Sequence, residues 1–93
     1  MSEPQPLPLR EEVERRLRAA LDPSALRIDD ESHLHRGHAG AKGGGAHLRV
    51  AITSRTFSGK PLLAQHRLVQ DAVRDLIASG RIHALALQTR AEP

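Results

Sequence analysis

Arg81-Ile82-His83-Ala84-Leu85-Ala86-Leu87-Gln88 is the stretch on which the reading of this chain turns. After Arg81 it is uncharged and mostly apolar, which predicts a strand over residues 82–89. An apolar run of this kind is expected at the centre of a sheet, covered on both sides. Its one histidine, His83, stands near the start of the strand and is the first candidate for a functional side chain.

Just upstream, Leu62, Leu63, Val69, Ala72, Val73, Leu76 and Ile77 recur at helical spacing. They predict one long helix from Pro61 to Ser79, opened by a proline suited to a first turn and stopped by Gly80. A short helical turn is expected ahead of it, and Thr56 to Lys60 turns the chain through Gly59. Leu48, Val50 and Ile52 alternate with polar neighbours in a strand over residues 47–54. Residues 32–46 hold five glycines and three histidines, so they read as a long flexible loop. Leu26 and Ile28 mark a short strand over residues 25–30. A first helix runs from Leu9 to Leu21, with Leu9, Val13, Leu17, Ala20 and Leu21 on its apolar face. Glu11 and Glu12 lie early in it and Arg15, Arg16 and Arg18 late, as the helix dipole favours. Asp22-Pro23 ends it, because proline disfavours helical geometry in the residue before.

These elements predict a single α/β domain of the α+β kind over residues 9–90, with a proline-rich lead-in at 1–8 and a short tail at 91–93. Two helices on one face of a three-stranded sheet would bury both apolar stripes. The first two strands would pair antiparallel across the glycine loop. The 93 residues are 39% hydrophobic and include one aromatic, Phe57, so aliphatic side chains must build most of the core around it. The net charge of +3 and a pI near 10.6 favour acidic partners but offer little for strong nucleic acid binding. Without cysteine there is no disulfide and no thiolate nucleophile or ligand. No apolar run reaches membrane-span length and no signal-like segment opens the chain, so a cytoplasmic location without a membrane partner is expected. Ser32 lacks the context of a catalytic serine, and pairing Asp30 or Glu31 with His83 as acid and base is less economical than ordinary loop solvation. A non-enzymatic role, with no catalytic residues, is expected.

Six histidines in such a chain invite a metal reading. Imidazole ligates zinc, copper, iron or nickel when neutral. His33, His35, His38 and His47 lie in or beside the glycine loop, His66 in the long helix and His83 in the last strand. By itself His83 reads more readily as a semi-buried histidine bonded to a backbone carbonyl than as a ligand, since most histidines are not ligands. His33-x-His35-x-x-His38, followed by His47, could hold zinc, copper or nickel unaided, though weakly and without selectivity. Lys60, His66, Arg67 and Arg74 could form a basic edge on the long helix, either for docking or as a plain solvated face. Ser58-Gly59-Lys60-Pro61 lacks the second glycine of a nucleic-acid-clamping Gly-x-x-Gly loop.

Taken in order, Glu31-Ser32-His33-Leu34-His35, Phe57-Ser58-Gly59, His66-Arg67-Leu68-Val69 and the His83 strand resemble the BolA family, across nearly the whole chain. The resemblance implies an αββααβ arrangement similar to a type II KH domain. It implies a monothiol glutaredoxin as partner and a shared [2Fe–2S] cluster, with none expected to stay tightly bound to the isolated chain. His83 matches the family's C-terminal cluster ligand. The Glu-Ser-x-x-His pattern selects His35 as the loop ligand, with His33 or His38 as substitutes. Thiolates from the glutaredoxin cysteine and from glutathione would complete the set, giving a Rieske-like site of raised potential. The implied role is cluster trafficking or iron and redox regulation. A DNA-binding regulator acting through Lys60, His66, Arg67 and Arg74 is the alternative, and a stand-alone histidine-loop metal binder the third reading. Gln65 stands where the family's Arg-His-Arg-x-Val segment has a basic residue, which weakens the DNA reading.

Overall fold

The computed structural model describes residues 7–32 and 45–92. Helix α1 spans Leu9–Leu21 and buries Val13, Leu17 and Leu21, spaced four residues apart along its apolar face. Ala20 remains exposed, since an alanine loses little by facing water. The helix stops at Asp22, which turns left-handed (φ 43°) and donates its N–H to the Arg18 carbonyl at 3.1 Å.

Strands β1 (Ala25–Asp30) and β2 (Ala46–Ser54) pair antiparallel, with Ile28 opposite Val50. A 3-10 turn at Arg55–Phe57 follows, then α2 (Leu62–Ala72), α3 (Arg74–Ala78) and β3 (Ile82–Ala91). Strand β3 lies parallel to β2, so the order is β1-β2-β3. Helices cover one face, where Val13, Leu17, Leu48, Val50, Ile52, Phe57, Val69 and Val73 are almost wholly buried. The expected α+β architecture is therefore present.

Three local expectations are corrected. The apolar strand β3 is an edge, and β2 takes the centre. Leu85 and Leu87 of β3 lean on the core while Ala84 and Ala86 face outward. Alanine counts as apolar in a pattern yet tolerates water, so the run looks more buried than it is. Strand β3 also continues to Ala91, and beyond it the Glu92 N–H reaches the Ser54 carbonyl. The long helix is two helices, broken at Val73, whose φ of −123° and ψ of 20° leave helical space. Finally, Leu62 and Leu63 are 59% and 65% exposed and Ile77 39%, so the stripe overhangs the core at both ends.

One buried hydroxyl joins the layers. Ser54 Oγ donates to the Leu21 carbonyl at 2.5 Å and accepts the Thr56 N–H at 3.1 Å. It thereby satisfies a carbonyl at the end of α1 and starts the 3-10 turn that inserts Phe57. Arg16 links α1 to α3, its Nε 3.1 Å from Glu12 and its other arm on Asp75. The Arg16 hydrogen bonds hold both carboxyls below their ordinary values of 4.5 and 3.8. Folding thus lowers both pKa values, so this cluster's stabilisation is complete above pH 4.5 and is lost as pH falls through the lowered folded-state values. We expect the melting temperature to decline in that acid range, and Arg16→Gln to flatten the decline in melts recorded from neutral to acid pH. A parallel decline in both proteins would show that the cluster does not govern it.

Candidate functional site

His83 occupies a β-bulge. Ala46 pairs with Ile82 and His47 with Ala84, leaving His83 as the extra residue on β3. The bulge is what allows Ile82 to be buried while Leu85 and Leu87, of opposite parity, also face the core. It sets His83 exposed at the start of the edge strand. Gly45 packs directly against this point with φ +89°, and a Cβ there would come within 2.9 Å of the His83 Cβ and 2.8 Å of the Gly80 carbonyl. Next door, the Ala46 N–H donates to the Arg81 carbonyl at 2.9 Å.

The start of β2 is held just as firmly from the β1 side. Ser32 Oγ donates to Asp30 at 2.5 Å and accepts the His47 N–H at 3.1 Å. The Glu31 N–H reaches the His47 carbonyl at 2.7 Å, and the Glu31 carboxylate accepts from Arg49 Nε at 3.1 Å. Glu31 and Ser32, the first residues of the Glu-Ser-x-x-His pattern, thus fasten the foot of the glycine segment. Neither Asp30 nor Glu31 has a described contact with His83, and both are engaged elsewhere.

His33, His35 and His38 lie outside the described residues. What the structure does bring to His83 is His47. Their ring centroids are 5.1 Å apart with the planes tilted by 49°. By sequence position His47 groups with the loop. Its place at the first position of an alternating strand, opposite in parity to Leu48, is the signal that it faces away from the core.

The basic edge is only partly assembled. Arg67 and Arg74 line one open groove of about 690 Å³ with Gln70, Asp71, Ile77 and Ala78. Arg74 is ion-paired with Asp71, which offsets its charge. His66 is half-buried, and Lys60 is exposed before α2. Gln65 is engaged within the fold. Its side-chain N–H reaches the Lys60 carbonyl at 2.9 Å, and its side-chain carbonyl accepts from Thr89 at 2.6 Å. It ties the start of α2 to β3.

A family model described as BolA-like protein matches residues 17–93. The chain belongs to the BolA family. Among relatives of this BolA-like chain is the DNA-binding transcriptional regulator BolA of Escherichia coli, 37% identical over 81 residues, covering 87% of this chain and 73% of that one. Another is SufE-like protein 1 of Arabidopsis thaliana, 38% identical over 80 residues; the match covers 81% of this chain and 21% of that longer protein. The solved structure of Arabidopsis BolA1 superposes with a TM-score of 0.79 at 33% identity, covering 96% of this chain and all of that one. The first of these carries a regulator name, the second a SufE-like name and the third a BolA name. No helix among the described residues is long and apolar enough to cross a membrane.

Proposed function

We propose that this BolA-like chain docks on a monothiol glutaredoxin and supplies histidine ligands to a shared [2Fe–2S] cluster. The observation that carries the reading is the placement of His83. It is exposed, on an edge strand, at a bulge whose backbone is packed against Gly45. An imidazole so placed can face a partner without unfolding any part of the sheet. The donor chemistry fits, because neutral imidazoles suit an iron that draws its remaining ligands, as thiolates, from glutaredoxin and glutathione.

His83 is the fixed ligand in this proposal and His35 the loop ligand, with His33 and His38 as substitutes. Ser32 and Glu31 fix the start of β2 at His47, whose ring lies beside that of His83. When bound, the cluster would supply transferable iron and sulfur and a redox potential raised by imidazole ligation. The chain would act in cluster trafficking or in iron and redox regulation, in the cytoplasm, without catalysis of its own.

The test is anaerobic reconstitution of the cluster on a monothiol glutaredoxin with glutathione, with and without this chain, read by visible absorption and circular dichroism. A new spectrum that reverts in His83→Ala is expected, and His35→Ala then reports on the loop ligand. An unchanged spectrum and no complex would overturn the proposal. Salt-dependent DNA binding would then lead, on the strength of the Escherichia coli relative's name and the groove of Arg67 and Arg74. With Arg74 paired to Asp71, few phosphate contacts are available there, so such binding would be weak.

A further inference from the structure

We infer that His47 and His83 form a two-imidazole site for a divalent transition-metal ion on the isolated chain, needing neither the glycine-loop histidines nor a partner. The ring separation suits it. With metal–nitrogen bonds of about 2.0–2.1 Å, an ion bound by both rings lies roughly 3.2 Å from each centroid, and centroids about 5 Å apart then subtend an angle near the tetrahedral one. The observed separation is 5.1 Å.

The backbones that carry both rings are held in advance. The His47 backbone is fixed on both sides, its N–H on Ser32 Oγ and its carbonyl under the Glu31 N–H. His83 is set by the bulge and by Gly45 behind its Cβ. Little backbone ordering therefore remains to be done when an ion arrives. His83 is exposed and His47 half-buried, so the ion can enter from solvent. Among the described residues no third histidine or carboxylate joins them in a ready-made set of three. The donors are neutral nitrogens, which select copper, nickel or zinc over magnesium or calcium, with Cu²⁺ bound most tightly.

The experiment titrates the full chain carrying His33→Gln, His35→Gln and His38→Gln with Cu²⁺. Amide line broadening locates the ion, and electron paramagnetic resonance counts its nitrogen ligands. Broadening centred on residues 45–48 and 81–85 is expected. Adding His47→Gln or His83→Gln should weaken binding at least about tenfold, the loss that even an outer-shell partner of a ligand can cause. An unchanged amide spectrum of each variant before metal is added checks that it keeps the fold. Affinity that does not change with His83→Gln, or no binding in the triple background, would overturn the site. No glutaredoxin or cluster is present in this assay. Its failure would leave the shared-cluster proposal standing, and the reverse also holds.

Discussion

Phe57→Ala is expected to destabilise the domain by about 3–5 kcal/mol, as removal of a wholly buried phenyl ring does. Phe57 is the only aromatic residue in the chain, and none of its surface reaches solvent. The neighbouring core residues are aliphatic, so no second ring can move into the space it leaves. A domain of this size has a total stability of roughly 5–15 kcal/mol, and a loss of this order would remove a large share of it. At about 4–8 °C per kcal/mol, the melting temperature should fall by more than roughly 10 °C. Far-UV circular dichroism melts would measure it. A shift of a degree or two would mean that the ring does not pack as the structure has it.

The second large effect is expected at Gly45, where fold and site meet. Gly45→Ala places a Cβ at φ +89°, against the Gly80 carbonyl at 2.8 Å and the His83 Cβ at 2.9 Å. The left-handed conformation alone costs roughly 1–2 kcal/mol for an L-residue. The contact adds a displacement of either the backbone at Gly80 or the bulge at His83. Gly80→Ala is the natural control, since Gly80 has φ +84° but open space where its Cβ would lie. Both variants should lose stability in urea titrations. Only Gly45→Ala should shift the ring resonances of His83 and His47 and, on the proposed function, weaken the cluster spectrum with glutaredoxin. Equal effects on the histidines in both variants would show that Gly45 serves the turn and not the placement of His83.

The elements themselves are legible because local physics sets them. The spacing of Val13, Leu17 and Leu21 makes a helix face, the alternation of Leu48, Val50 and Ile52 makes a strand, and Pro61 and Gly80 bound the helical segment between strands. Phe57 can be placed in the core from composition alone. The run Ile82 to Leu87 reads correctly as a strand but suggests the wrong place in the sheet, because alanine is apolar in a pattern and indifferent on a surface. The helix break at Val73 and the exposure of Leu62 and Leu63 are equally hidden. Periodicity says which residues could share a face; how far the underlying core extends decides which of them it covers.

The same division runs through the site. The sequence by itself determined the family, the α+β class, the absence of any thiolate and the candidacy of His83 and the loop histidines. Only the tertiary structure decided that His83 stands in a bulge on an edge strand and that His47 is its neighbour. These two residues lie on strands joined through both α2 and α3. Their approach depends on the parallel register of β3 on β2 and on a one-residue slip within it. The slip follows from burying Ile82 together with Leu85 and Leu87, a packing demand that acts between distant segments and leaves no local periodicity to read.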